Sequence, residues 1–180
     1  MQEFPAGNPD NMNASIQPAN QGLRRGWLRW WWAVIAWAIV ISLFSTSLFT
    51  SENTSRFIIP ILHWLFPHAP AAQLYYFHFL IRKSAHFIEY FILSLLAWRA
   101  IRCGRRGDRL QWALAAIILV AAYASLDEFH QMFVPGRTAA VHDVLLDSIG
   151  GIAAQIIAAI YVLVRNGSEP TILRNSDRAA

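Results

Sequence analysis

Two charged clusters stand out in a chain that is otherwise strongly apolar. From Ala124 to Gly151 the sequence ASLDEFHQMFVPGRTAAVHDVLLDSIGG sets Asp127, Glu128, His130, Gln131, Arg137, His142, Asp143 and Asp147 between two long apolar runs. Upstream, Arg82-Lys83-Ser84-Ala85-His86-Phe87-Ile88-Glu89-Tyr90 forms a second cluster. These residue types allow three kinds of chemistry. An imidazole beside a carboxylate, His86 with Glu89 or His130 with Asp127, can act as an acid–base pair, because imidazole titrates near neutrality and the carboxylate fixes its tautomer. Arg82, Lys83 and Arg137 can hold a phosphate or carboxylate. Asp127, Glu128, Asp143 and His86 supply donors that suit magnesium or manganese, although no familiar metal-ligand spacing is present. Ser84 and Ser125 lack the sharp turn of an activated nucleophile.

Helical spacing divides the candidates among faces. Arg82, His86, Glu89 and Tyr90 fall at i, i+4, i+7 and i+8, one stripe of a helix, with Lys83 at its edge. Asp127, His130 and Gln131 share a face at i, i+3 and i+4. Asp143 and Asp147 lie one turn apart and lead into Gly150, Gly151 and Ala154, small residues that permit close helix contact. Val134-Pro135-Gly136-Arg137 suits a turn with Pro at its second position and Gly at its third, aiming Arg137 back over the cluster.

The elements that must position these residues are membrane helices. Of 180 residues, 56% are hydrophobic and 14% charged, with eight Trp; the mean hydropathy is +0.33. That profile points to the bilayer. The formal charge of +4 reflects Arg at the ends of apolar runs and gives no reason to expect nucleic acid. The single cysteine, Cys103, excludes an internal disulfide and reads as an incidental reduced thiol. Residues 1–22, rich in Asn, Gln, Pro and Gly, read as a disordered tail, and 166–180 as a flexible one. Between them, 23–165 reads as an all-α, polytopic membrane domain of four transmembrane helices. The spans are Trp27–Phe49, Leu74–Ile101, Leu110–Leu126 and Val144–Val164. Phe57–Phe66, interrupted by Pro60, is too short to cross and reads as an interfacial or re-entrant piece. The small residues Ser45-Thr46-Ser47 raise a cleaved signal peptide as the competing view of the first run. Its apolar length favours a retained anchor, and Trp30, Trp31 and Trp32 beside Arg29 suit an interfacial belt.

Basic residues set the orientation. Arg24, Arg25 and Arg29 lie before or in the first turn of the first span; Arg99, Arg102, Arg105, Arg106 and Arg109 lie from the last turn of the second to the start of the third; Arg165, Arg174 and Arg178 follow the fourth. All fall on one side, which the positive-inside rule makes cytoplasmic, with both termini. Arg56, Arg82, Lys83, Arg137 and the six histidines (His63, His68, His78, His86, His130 and His142) fall on the other. The polar ends of spans two, three and four therefore meet at one level, the extracytoplasmic third of the bilayer. Ionisable groups there cost at least about 2.5–3.5 kcal/mol each on insertion scales, so they should face one another. A purely structural network fixing helix register would need fewer of them, and a functional pocket is the favoured reading.

The sequence resembles the VanZ-like family of small bacterial membrane proteins. The resemblance rests on Arg82-Lys83-x-x-His86-Phe87-x-Glu89-Tyr90, on Ser125-x-Asp127-Glu128-x-x-Gln131-x-Phe133-Val134-Pro135-Gly136-Arg137, and on Asp143-x-x-x-Asp147-x-x-Gly150. These motifs span about Arg82 to Gly151, within a VanZ-like core of about 74–165. Asp147 departs from the pattern, since many members carry Asn there, and so does Ala140, where some carry an acid. Members are linked to low-level resistance to glycopeptides such as teicoplanin. The resemblance thus implies a protein of the bacterial inner membrane acting at the cell envelope, and defines no reaction.

Two functions follow as expectations. The first is a binder of an envelope lipid, a peptidoglycan group or the antibiotic itself, serving envelope modification or glycopeptide tolerance. The second is an acid–base or metal-assisted enzyme on a lipid-linked substrate. His86, Glu89, Asp127 and Glu128 are the candidate catalytic groups. Arg82, Lys83, Tyr90, Gln131, Arg137, Asp143 and Asp147 are the candidate binding groups. No metal ligand set and no cofactor is expected, and membrane lipids are the expected surroundings. Proton-coupled transport is weakened by the clean apolar halves of the last two spans, which offer no polar path inward.

Overall fold

The structure, a computed structural model, describes residues 17–103, 110–137 and 140–167, with side chains from 29 to 165 within those ranges. Among them every regular element is helical: α1 (Gln17–Phe44), a 3₁₀ turn (Ser47–Phe49), α2 (Ser51–Leu65), α3 (Ala71–Arg102), α4 (Leu110–Gln131) and α5 (Val141–Gly167). The all-α expectation stands. Helix is described from Gln17 onward, inside the stretch read as a tail. The rest of that tail, residues 104–109 of the basic loop and residues 168–180 lie outside the described residues.

Two helices are long and apolar enough to cross a membrane, Leu110–Gln131 and Val141–Arg165. Arg29–Phe44 with Ser47–Leu65 qualifies as a further span only if taken together, and the pair is bent by 62°. Up to three spans therefore meet the test among the described residues, where four were expected. The shortfall lies in α3. Its 32 residues reach about 48 Å at 1.5 Å per residue, but Arg82, Lys83, His86 and Glu89 dilute its apolar character. The short piece expected at Phe57–Phe66 falls in the second half of α2, a 15-residue helix that accommodates Pro60. Thr50 caps it, its hydroxyl accepting from the Asn53 N–H at 3.3 Å.

Helix α3 is the hub, packed extensively on each of the other four helices and most of all on α5. Two glycines in the first half of α5 explain that closeness. A Cβ on Gly150 would lie 2.6 Å from the Phe87 carbonyl oxygen, and one on Gly151 2.8 Å from a Val120 methyl. Gly150 thus lets the α3 backbone approach closely, and Gly151 lets the Val120 side chain of α4 pack against the α5 backbone. The core below the site joins Val34 and Ile41 of α1 to Tyr90, Leu93 and Ala100 of α3 and Val120 and Ala124 of α4. Trp37 ties α1 to α3 by donating to the Glu89 carbonyl at 2.9 Å. At the opposite end Arg99 stacks on Trp30 at 4.0 Å, so that tryptophan serves packing as well as any belt.

The outer faces are apolar. Trp32, Ile35 and Ile39 of α1, Leu114 and Ile118 of α4, and Ile149, Ile156 and Ile160 of α5 are all exposed. A soluble chain leaves no such continuous faces uncovered, and the chain is a multi-pass membrane protein.

Candidate functional site

The break between α1 and α2 builds one wall of the site. A helix that stops leaves its last carbonyls without partners, and here two guanidinium groups supply them. Arg137 donates to the Phe44 carbonyl at 2.5 Å and to the Phe49 carbonyl at 3.0 Å. Arg82 donates to the Phe49 carbonyl at 3.4 Å and to the Thr54 hydroxyl at 3.3 Å. Arg137 reaches there because Val134–Arg137 closes a β-turn, with the Arg137 N–H on the Val134 carbonyl at 3.2 Å. Gly136 sits at φ +78°, the left-handed position that this turn type reserves for glycine. The turn is the one read from the sequence. Burial pulls the Arg137 pKa below its ordinary value, against carboxylates that raise it; a guanidinium keeps its charge throughout.

Asp127 is the second fixed point. It is buried on α4, and one carboxylate oxygen accepts from the Ser45 hydroxyl at 2.7 Å and from the Gln131 amide at 2.9 Å. The Gln131 carbonyl oxygen in turn accepts from Arg137 at 3.5 Å. Glu128 points elsewhere, its carboxylate capping the backbone N–H of Ala140 just before α5. Lys83 pairs with Asp143, which also faces His142 at 3.2 Å. His86 Nδ1 lies 3.9 Å from Asp147 Oδ1, and neither atom has a hydrogen-bond partner. Tyr90 is fully buried, and its hydroxyl faces Asp127 without a well-formed hydrogen bond.

Two cavities flank the guanidinium pair. One, of about 240 Å³, is walled mainly by apolar groups, among them Phe44, Phe49, Ile58, Ile81 and Ala85, with Glu89 also exposed in it. The other, of about 220 Å³, is polar and is lined by Ser51, Lys83, Gln131 and Asp143. Arg82, His86 and Arg137 line both.

The structure therefore brings Arg82, Lys83, His86, Glu89, Gln131, Arg137 and Asp143 to the cavity walls, with Asp127, Asp147 and Tyr90 in the layer behind them. Glu128 stands apart as a helix cap. The His130–Asp127 pair does not form, because His130 is exposed and Asp127 is taken up by Ser45 and Gln131. As for the metal option, among the described residues no group of three or more His, Cys, Asp or Glu side chains is placed to hold an ion. The spread of those side chains over separate contacts, Glu128 on Ala140 and Asp143 on Lys83, is the reason. Sequence reasoning missed Ser45, Thr50 and Thr54, and the roles of the Phe44 and Phe49 carbonyls. The signal was present in Ser45-Thr46-Ser47, a polar run at an apolar helix end, which also resembles a cleavage site. The role of His78 was also missed: it is buried, and its Nε2 pairs with the Thr54 hydroxyl at 3.1 Å.

No curated protein and no solved structure matches the chain significantly. A family model does: VanZ/LLP1, over residues 30–164. That stretch runs from Trp30 of α1 into the last turn of α5 and holds every residue of the two cavities, and the chain belongs to the VanZ/LLP1 family.

Proposed function

We propose that this protein is a binding protein of the bacterial inner membrane. Its paired cavities take up an envelope group, from a lipid, from peptidoglycan or from a glycopeptide antibiotic, in envelope modification or teicoplanin-type tolerance. The carrying observation is that Arg82, His86 and Arg137 line both cavities at once. In this reading α1, α3, α4 and α5 are the four spans, α2 folds back at the outer surface, and both termini are cytoplasmic. The cavities then open toward the outer leaflet, where envelope lipids and peptidoglycan precursors are handled.

Acid–base catalysis on a lipid-linked substrate is the second reading. One observation favours it: His86 and Glu89 share a cavity wall, and no side-chain hydrogen bond ties the Glu89 carboxylate among the described residues.

Expression of Arg82→Gln, His86→Gln and Glu89→Gln in a susceptible host tests the reading, with teicoplanin susceptibility and membrane protein level measured together. A binder gives graded loss of tolerance at unchanged protein level, and an enzyme gives complete loss for both His86→Gln and Glu89→Gln. Wild-type tolerance in all three variants overturns both readings.

A further inference from the structure

Resting on the reading of the cavities as a binding site, we infer that the ligand is a phosphate-bearing lipid. Its phosphate sits between Arg82 and Arg137, and its hydrocarbon chain lies in the apolar cavity.

Three observations lead there. The first is the state of the two guanidinium groups. Among the described residues each bonds only to neutral oxygens: the Phe44 and Phe49 carbonyls, the Thr54 hydroxyl and the Gln131 amide. Among the described residues neither has a carboxylate within ion-pair distance, whereas Lys83 is paired with Asp143. Two half-buried like charges side by side repel, and an anion between them relieves that repulsion. The Arg137 Nε is buried with no partner, so one donor of its fork is unused. A planar fork with free donors matches phosphate oxygens better than it matches any other common anion except carboxylate.

The second observation is the split in lining. On one side of the guanidinium pair Phe44, Phe49, Ile58, Ile81 and Ala85 offer hydrocarbon; on the other Ser51, Lys83 and Gln131 offer donors and Asp143 an acceptor. A ligand spanning both must be amphiphilic, with its charge at the junction. A free phosphate would leave the apolar cavity unfilled, and a neutral lipid would leave the guanidinium pair unneutralised.

The third is the position of the acids. Asp127, with its two donors, and Glu128, on the Ala140 N–H, line neither cavity. The carboxylates in the walls are Asp143, already paired with Lys83, and Glu89, in the apolar cavity. The junction itself is cationic.

The test is native mass spectrometry on the full chain in a non-ionic detergent, with three probes: dioleoyl phosphatidic acid, dioleoylglycerol and inorganic phosphate. Phosphatidic acid is expected to bind, and to bind at least about tenfold more tightly than either other probe, the equivalent of one charge-assisted contact or of a few buried methylenes. Arg82→Gln and Arg137→Gln should each weaken it about tenfold or more, and Arg82→Lys, which keeps charge but loses the fork, by less. Ala85→Trp, filling the apolar cavity, should weaken phosphatidic acid while leaving inorganic phosphate unaffected. Thermal melting of each variant separates loss of binding from loss of fold, and Arg82→Lys covers the case in which a glutamine variant fails to fold. Dioleoylglycerol binding as tightly as phosphatidic acid overturns the anion site; inorganic phosphate doing so overturns the lipid. Tolerance that depends on Arg82 in cells, without phosphatidic acid binding in detergent, overturns this inference and leaves the binding reading standing.

Discussion

Asp127 and Asp147 are both buried acids, yet their surroundings differ enough to give opposite expectations. Asp127 is held by two donors on one oxygen, and removing a donor leaves a buried acceptor short of a partner. Ser45→Ala is therefore expected to destabilise the protein by about 1–3 kcal/mol, read as a lower thermal midpoint in detergent. An unchanged midpoint would mean that Gln131 alone suffices. Asp147 is 2% exposed, has an oxygen with no hydrogen bond and faces His86 only at 3.9 Å. A buried charge with so little compensation costs more than its neutral isostere. Asp147→Asn is accordingly expected to keep or raise the midpoint, and a fall of more than about 1 kcal/mol would show that the carboxylate has a partner in the membrane. Lys83 and Asp143, each about a quarter exposed, should give a coupling near 1 kcal/mol in a double-mutant cycle, shrinking as salt is raised.

At the scale of elements, the α3–α5 crossing sets one wall of the polar cavity, because α3 carries Arg82, Lys83 and His86 while α5 carries Asp143. Gly150→Ala tests it. Alanine gains about 1 kcal/mol of helix propensity over glycine, but its Cβ would sit 2.6 Å from the Phe87 carbonyl oxygen. That oxygen belongs to the backbone and cannot turn aside as a side chain can. Overpacking of this kind costs typically about 1–3 kcal/mol, so a net loss of stability is expected, together with loss of ligand binding as the helices separate. A midpoint above wild type would show that the crossing is looser. The glycine pair, the charged stripe of α3 and the turn at Val134–Arg137 were all legible in the sequence, because each depends on local spacing or on a backbone conformation that few residues adopt. The docking of the α1–α2 break was not. Its partners are carbonyls and single hydroxyls: Ser45 meets Asp127 across 82 positions, and no periodicity marks such a contact. Glu128 was misplaced for a related reason, since its charge suggested the pocket while its bond goes to the backbone of Ala140.

For the whole molecule, the function depends on which side of the membrane the cavities face, and the single native cysteine makes that measurable. Cys103 follows the last turn of α3, its N–H on the Arg99 carbonyl at 3.2 Å, at the end of that helix away from Arg82. Met132, just past α4, is 65% exposed and lies at the same end as Gln131 and Arg137. The two positions report opposite surfaces if α4 crosses the bilayer, as its length and composition allow. Basic residues are retained on the cytoplasmic side, and Arg99 and Arg102 lie immediately before Cys103. A membrane-impermeant maleimide is therefore expected to label Cys103 in inside-out vesicles and not in intact cells. Met132→Cys in a Cys103→Ser background should give the reverse pattern. Labelling of Cys103 from outside would turn the cavities toward the cytoplasm, where neither teicoplanin nor finished peptidoglycan is found, and the guanidinium pair would then meet only lipids of the inner leaflet.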